Sequence, residues 1–205
     1  FDGSDTYTAS VPNSMTNISV VPTVNDPTAT LTINTNPATS GAGNTVNLNV
    51  GSNSINILVK AQDNSTKAYT ITVTRAQSSV NTLSNLTLSA GTLSPGFTAG
   101  NNTYTASVPN ASSSITVTPT VTDPTATVTI NGTAATSGIP FSINNLQVGA
   151  NPVTVTVTAQ DGTSQSIYTL TVTQAPSAVA TLSNLTTSAG PITPSFTSTN
   201  LNYGA

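Results

Sequence analysis

Apolar residues alternate with threonine, serine or asparagine along most of the chain. Clear examples lie at residues 115–118, 153–157 and 168–172. A period of two directs one row of side chains inward and the other to water, so it predicts half-buried β-strands. Turn-forming pairs such as Asp123-Pro124 and Asp161-Gly162 separate these stretches. No stretch shows helical spacing, and the pattern therefore predicts an all-β fold.

The alternating segments recur along the chain with a period of 97 to 99 residues. The sequence TYTASVPN of residues 6–13 returns unchanged at residues 103–110, and the strand-like run that starts at Tyr69 returns at Tyr168. This period is the size of one immunoglobulin-like sandwich. A further element, TLSNLT, opens the second copy at residues 82–87 and returns at 181–186, whereas the first copy has no such opening.

These repeats predict three modules. Residues 1–77 form a sandwich without its first strand, residues 78–176 form a complete one, and residues 177–205 hold the first-strand segment of a third. We expect about seven strands in the complete copy, near residues 83–88, 104–108, 115–121, 126–130, 141–146, 153–159 and 167–172. The predicted fold class is all-β, with tandem immunoglobulin-like antiparallel β-sandwiches.

The composition excludes most catalytic chemistry. The 205 residues include 42 Thr, 26 Ser and 23 Asn, but no His, Cys, Glu or Trp. Such a chain offers no imidazole base, no thiolate and no ordinary zinc site. Its three cations are too few for a nucleic-acid surface, and no apolar run approaches the ~20 residues of a membrane helix. We therefore expect a non-enzymatic protein without cofactor, nucleic-acid partner or membrane span.

Two stretches of the complete copy resemble a known family. The run LSNLTLSAGTLSPGFTAGNNTYTASVPN and the later run VTVTAQDGTSQSIYTLTVTQ are similar to the cadherin-like β-sandwich repeat of secreted and surface-attached bacterial proteins. The resemblance covers essentially the whole chain. It implies an extracellular or cell-surface location and a modular, mainly structural role, and it identifies no ligand.

The aspartates suit turns better than a calcium site. A Ca²⁺ ion takes six to eight oxygen ligands, usually from several carboxylates. Here Asp26 and Asp123 precede proline, while Asp63 and Asp161 precede Asn or Gly, and these contexts let a carboxylate bond nearby backbone amides. We therefore predict turn formation and no metal.

Covalent glycans are a second candidate feature of the surface. An Asn-x-Ser/Thr sequence can accept a glycan, and sugars would hydrate a surface that carries almost no charge. The same sequences also arise by chance in a chain so rich in Asn, Ser and Thr. The candidate acceptors are Asn17, Asn64, Asn85, Asn101, Asn110, Asn131 and Asn184.

The offset between chain and repeat suggests a mode of assembly. A sandwich without its first strand exposes an apolar groove and unpaired backbone groups, and residues 179–193 provide a spare strand. The candidate residues of this inter-subunit strand are Val179, Leu182, Leu185 and Ile192. If this segment fills the groove of another copy, the head-to-tail contact propagates into a fibre, stalk or surface filament.

Two other interpretations stay open. The sequence can be a window on a longer tandem array whose copies are joined covalently. Simple strand donation also meets an objection, because residues 196–205 would duplicate residues 1–10. The alternative function is an adhesion or carbohydrate-binding accessory module of a larger surface protein, which predicts an exposed aromatic cluster.

Overall fold

The computed structural model describes residues 5–188 and 190–199, and these residues form two β-sandwiches in tandem. We call residues 1–77 repeat 1, residues 78–176 repeat 2 and residues 177–199 the tail segment. Repeat 1 contains β1 (Thr6–Val11), β2 (Asn17–Val20), β3 (Thr30–Ile33), β4 (Asn36–Ala38), β5 (Asn44–Asn47), β6 (Gly51–Lys60) and β7 (Thr66–Arg75). Repeat 2 contains β8 (Leu83–Leu88), β9 (Thr103–Val108), β10 (Ser114–Val121), β11 (Thr127–Ile130), β12 (Thr133–Ala135), β13 (Phe141–Asn144), β14 (Gly149–Thr158) and β15 (Gln165–Gln174).

Repeat 2 is a sandwich of two facing sheets. One sheet has the order β13-β10-β8, and the other has the order β12-β11-β14-β15-β9. Alternate side chains of β10 and β14 are buried, as the period of two predicts. The core lies between the sheets and includes Leu83, Leu86, Tyr104 and Tyr168, all at most 2% exposed. Strand β8 thus supplies two of the most buried side chains.

Repeat 1 has the same strand order with one difference. Its larger sheet, β1-β7-β6-β3-β4, matches the five-stranded sheet of repeat 2, but its second sheet contains only β2 and β5. Among the described residues, nothing corresponds to β8. Strand β2 has four residues, whereas its counterpart β10 has eight. The shorter strand follows from this difference, because the second half of β10 is paired with β8.

The predicted fold class is confirmed: both repeats are all-β sandwiches in tandem. Two details differ from the sequence-based expectation. The pairings β1 with β7 and β9 with β15 are parallel, whereas the other ladders are antiparallel. Repeat 2 also has an eighth strand, β12, whose three residues are too short to show an alternating pattern. Parallel pairing joins segments more than 60 residues apart, so local periodicity carries no signal for it.

The tail segment has no extended strand within its described residues. It shows an isolated bridge between Thr187 and Gly190, and the Thr187 hydroxyl donates a hydrogen bond to the Gly190 carbonyl at 2.9 Å. Its sequence nevertheless repeats that of β8, since residues 182–186 read LSNLT as residues 83–87 do. One first-strand sequence is therefore present in two different environments.

Candidate functional site

The candidate site in repeat 1 is the edge of β2 that faces away from β5. In repeat 2 the corresponding edge of β10 pairs with β8, with Val117 opposite Leu88 and Pro119 opposite Leu86. The repeat-1 residues at those positions are Val20 and Pro22, and residues 21–24 belong to no strand. A strand edge with free amides and carbonyls is a template for another strand.

The core of repeat 1 is more exposed than that of repeat 2 at the positions around this edge. Ile18 and Val11 are half-buried and Ala9 is exposed, whereas their counterparts in repeat 2 are almost completely buried. Those counterparts are Ile115, Val108 and Ala106. Because β8 and the loop that follows it contribute to the core that covers these residues in repeat 2, the difference marks an apolar groove in repeat 1.

The tail segment contains apolar side chains whose equivalents in repeat 2 are buried in the core or packed against it. Val179 is 78% exposed and Leu182 is 60% exposed. Leu185 and Ile192 are half-buried. In repeat 2 the residues equivalent to Leu182 and Leu185 are Leu83 and Leu86, and the residue equivalent to Ile192 is Leu93, which packs against the core. Within the described residues, β2 is therefore paired on one side only, and the tail segment repeats the sequence that pairs with the equivalent edge in repeat 2.

A polar notch closes the end of repeat 2 where the chain enters. We define the repeat-2 notch as Asp123, Gln160 and Asp161, and Ser78 lies in it with only 5% exposure. The Ser78 amide donates to Gln160 Oε1 at 3.0 Å, and the Asp161 amide donates to the Ser78 carbonyl at 3.1 Å. The Ser78 hydroxyl bonds to the Asp123 carboxylate, and this contact is the main cause of the lowered pKa of Asp123. Both backbone groups of Ser78 are thus satisfied by the notch.

Each of the four predicted turn aspartates accepts hydrogen bonds from the residues that follow it. Asp26 accepts from the amide and hydroxyl of Thr28, and Asp63 accepts likewise from Ser65. These bonds favour the ionised carboxylates and lower the pKa of both.

Among the four turn aspartates, Asp161 has the most strongly lowered pKa. The Ser164 hydroxyl, followed by the amides of Ser164 and Thr163, lowers the pKa of Asp161 to about 2. Within the described residues, no three acidic side chains come together as a metal ligand set.

The candidate glycan acceptors occupy two kinds of position. Asn17, Asn64, Asn85 and Asn184 have exposed side chains. The side-chain amides of Asn101 and Asn110 donate to the carbonyls of Thr103 and Ala175, and the side-chain oxygen of Asn131 accepts from the Thr154 amide. The side-chain oxygen of Asn85 likewise accepts from the Leu86 amide, so the side chains of Asn17, Asn64 and Asn184 are the ones without a hydrogen bond among the described residues.

The aromatic residues of repeat 2 serve the core. Tyr104 and Tyr168 are buried, and the ring of Phe97 stacks on that of Tyr104 with 6.0 Å between ring centroids. The Tyr168 hydroxyl accepts a hydrogen bond from the Leu83 amide at 2.9 Å, which fastens the start of β8. These rings therefore do not form an exposed platform for a sugar.

Sequence reasoning revealed the repeated first-strand sequence at residues 181–186 but not the polar notch. The notch depends on backbone groups from residues about 80 positions apart, which no local pattern shows. A weak signal exists in the repeats themselves. Gln-Asp occurs at the same place in both copies, and Ser-x-Val occurs at residues 78–80 and again at 177–179.

Comparison with known proteins gives one family match. The family described as "Cadherin-like beta sandwich domain" matches residues 2–76 and 83–175. A protein of Evansella cellulosilytica that carries the name "Putative membrane protein" is 41% identical over 90 residues, which cover 44% of this chain and 13% of that relative. The chain thus spans about an eighth of that relative's length.

Solved structures of cadherins match this chain with low sequence identity and low TM-scores. Domains 3–6 of protocadherin gamma B2 match with 12% identity and a TM-score of 0.37, over 84% of this chain and 46% of that one. Domains 1–4 of Drosophila N-cadherin match with 13% identity and a TM-score of 0.33, over 84% and 48%. The chain spans about half the length of these proteins.

Two tandem sandwiches with an edge groove and buried aromatic residues define a modular β-sandwich protein. The chain belongs to the cadherin-like β-sandwich domain family, whose match covers most of its length. Domains of this family are non-enzymatic adhesion or structural modules and are typically extracellular. The described residues include no helix of the length and hydrophobicity needed to span a bilayer.

Proposed function

We propose that this protein is a non-enzymatic structural component of an extracellular fibre or surface filament, in which copies join head to tail by strand donation. The tail segment of one copy adds to the open edge of β2 in repeat 1 of the next. The observation that carries the proposal is the match between the groove of repeat 1 and the exposed first-strand sequence of the tail segment.

The expected register follows from repeat 2. Residues 182–187 would lie antiparallel to residues 20–24, as β8 lies against the second half of β10. Leu182 and Leu185 would then enter the core of repeat 1. Complete burial of a leucine side chain stabilises by about 1.5–3 kcal/mol, and the new ladder would satisfy the free backbone groups of the edge.

The contact is heterologous, because groove and strand lie on different parts of the chain. A heterologous contact that does not close into a ring extends into a filament. The hydroxyl-rich surface supports the same role, since only nine of the 205 residues carry a charged side chain. The buried rings of Tyr104 and Tyr168 weigh against the alternative of a carbohydrate-binding module.

The test compares two neighbouring substitutions in the tail segment of the full chain. Leu185→Asp places a charge at the position equivalent to buried Leu86, whereas Thr186→Asp places the same charge at the position equivalent to exposed Thr87. Sedimentation velocity over a concentration series measures assembly, negative-stain electron microscopy shows its form, and denaturing mass spectrometry gives the subunit mass.

We expect filaments of 20.5 kDa subunits for the parent chain and for Thr186→Asp, and monomers for Leu185→Asp. Compact monomers of the parent at all concentrations would count against strand donation. So would a single much larger covalent chain in the native material, since a preceding segment of the same chain could then fill the groove. Equal assembly of both variants would show that the tail segment is not the donor.

A further inference from the structure

The notch that holds Ser78 in repeat 2 has an open counterpart in repeat 1. The equivalent residues are Asp26, Gln62 and Asp63, and we call them the repeat-1 notch. All three are exposed and line a shallow surface hollow, whereas Asp123, Gln160 and Asp161 are half-buried. Within the described part of the chain, the Gln62 side chain has no hydrogen-bond partner, and the Asp63 amide interacts with the carboxylate of its own residue.

The two notches share several internal hydrogen bonds, although the turn that carries Asp161 is one residue longer than the turn that carries Asp63. The carboxylate of Asp26 is held by the amide and hydroxyl of Thr28, as that of Asp123 is held by Thr125. The Ala61 amide donates to the Ser65 carbonyl at 2.9 Å, as the Ala159 amide donates to the Ser164 carbonyl. The repeat-1 notch therefore already contains the Asp26 and Ala61 hydrogen bonds that have counterparts in the occupied notch.

The tail segment contains a residue that matches Ser78 in sequence and in local conformation. Ser177 lies 99 positions after Ser78, which is the repeat period in this part of the chain. In repeat 2 the Ser78 hydroxyl accepts a hydrogen bond from the Val80 amide at 3.3 Å. In the tail segment the Ser177 hydroxyl accepts one from the Val179 amide at 3.2 Å. The turn that presents the serine is thus already formed.

We infer that the repeat-1 notch binds Ser177 of a second copy and sets the register of the donated strand. Gln62 Oε1 accepts from the Ser177 amide, the Asp63 amide donates to the Ser177 carbonyl, and Asp26 accepts from the Ser177 hydroxyl. This inference rests on the proposed strand donation. It adds a polar determinant of specificity, because an apolar groove alone would also accept a strand shifted by two residues.

The test measures two quantities on the full chain. Hydrogen exchange with mass spectrometry follows the amides of residues 18–24 and of residue 63 as the concentration rises. We expect both regions to exchange at least about tenfold more slowly in the assembled state, because each gains a hydrogen-bonded partner. Protection at residues 18–24 without protection at residue 63 would overturn the notch but leave strand donation intact. Absence of protection at both would overturn strand donation itself.

A matched pair of variants gives the second readout. Gln62→Ala removes the acceptor for Ser177 and should weaken assembly about fivefold, the equivalent of one ordinary hydrogen bond. Gln160→Ala makes the same change where Ser78 already occupies the notch, so it should lower the unfolding stability of repeat 2 and leave the assembly constant unchanged. Equal assembly constants for Gln62→Ala and the parent would overturn the inference.

Discussion

Leu86 in repeat 2 and Leu185 in the tail segment occupy equivalent positions of the repeated sequence. The same substitution can therefore be tested in two environments. Leu86 is 2% exposed and belongs to the core of repeat 2, opposite Pro119 of β10. Leu185 has the same sequence context but lies outside both cores. We expect Leu86→Ala to lower the free energy of unfolding by about 2–5 kcal/mol, as for other buried leucines.

Leu185→Ala should leave the unfolding of the monomeric chain unchanged, because the side chain that it shortens stabilises neither sandwich. Its effect should appear in the assembly constant instead. If the same core contact forms between copies, a loss of about 2 kcal/mol already weakens association about 30-fold. One substitution would thus alter folding at residue 86 and association at residue 185.

The assay combines urea denaturation in dilute solution with sedimentation velocity at increasing concentration. Urea midpoints give the folding effect, provided that the slope of the transition stays constant. The reasoning would be refuted if Leu185→Ala lowered the midpoint of the monomer as Leu86→Ala does, or if it left the association constant of the parent unchanged.

Three further predictions concern repeat 2 and pH. Gly91→Ala should destabilise repeat 2 by at least about 1–2 kcal/mol, because Gly91 has a φ of +76° and an added Cβ would lie 2.8 Å from the Ser107 carbonyl oxygen. Thermal unfolding measures this effect, and an unchanged melting temperature would contradict the prediction. Tyr168→Phe should cost about 1–3 kcal/mol in urea denaturation, because the buried Leu83 amide loses its acceptor, and a neutral result would mean that water replaces the hydroxyl. Because the pKa of Asp161 is lowered to about 2, its contribution to stability is complete above the unfolded pKa near 4 and is lost as the pH falls toward 2. Unfolding midpoints should therefore fall as the pH is lowered from about 4 toward 2, and unchanged midpoints over that range would contradict the assignment.

The alternating pattern predicted most of the strands, because each strand buries one face in a single core. Strand β8 was located at its observed bounds, and β10 within one residue. Strand β14 begins at Gly149, four residues before the predicted start, because Asn151 and Pro152 break the apolar alternation while their backbone still pairs with β15. The backbone pairing of β14 with β15 therefore begins before the alternation of apolar and polar side chains does.

The candidate site could be predicted only in part. Repetition of the first-strand sequence is visible in the sequence, whereas its pairing with repeat 1 of another copy stays a prediction. Burial of Ser78 could not be foreseen, because a serine with exposed neighbours has no hydrophobic signature. Its place is fixed by the amide of Asp161 and the side chain of Gln160, which the fold brings to it across 80 residues.

The chain enters and leaves repeat 2 at opposite ends. Ser78 is bonded beside the turn that joins β14 to β15, whereas the Ala175 amide bonds to the Val108 carbonyl at the far end of β15. A pull on the two ends therefore acts along the strand axes, and the ladder between β8 and β10 is loaded in shear. Its hydrogen bonds share such a force together, whereas a load at right angles would open them one after another.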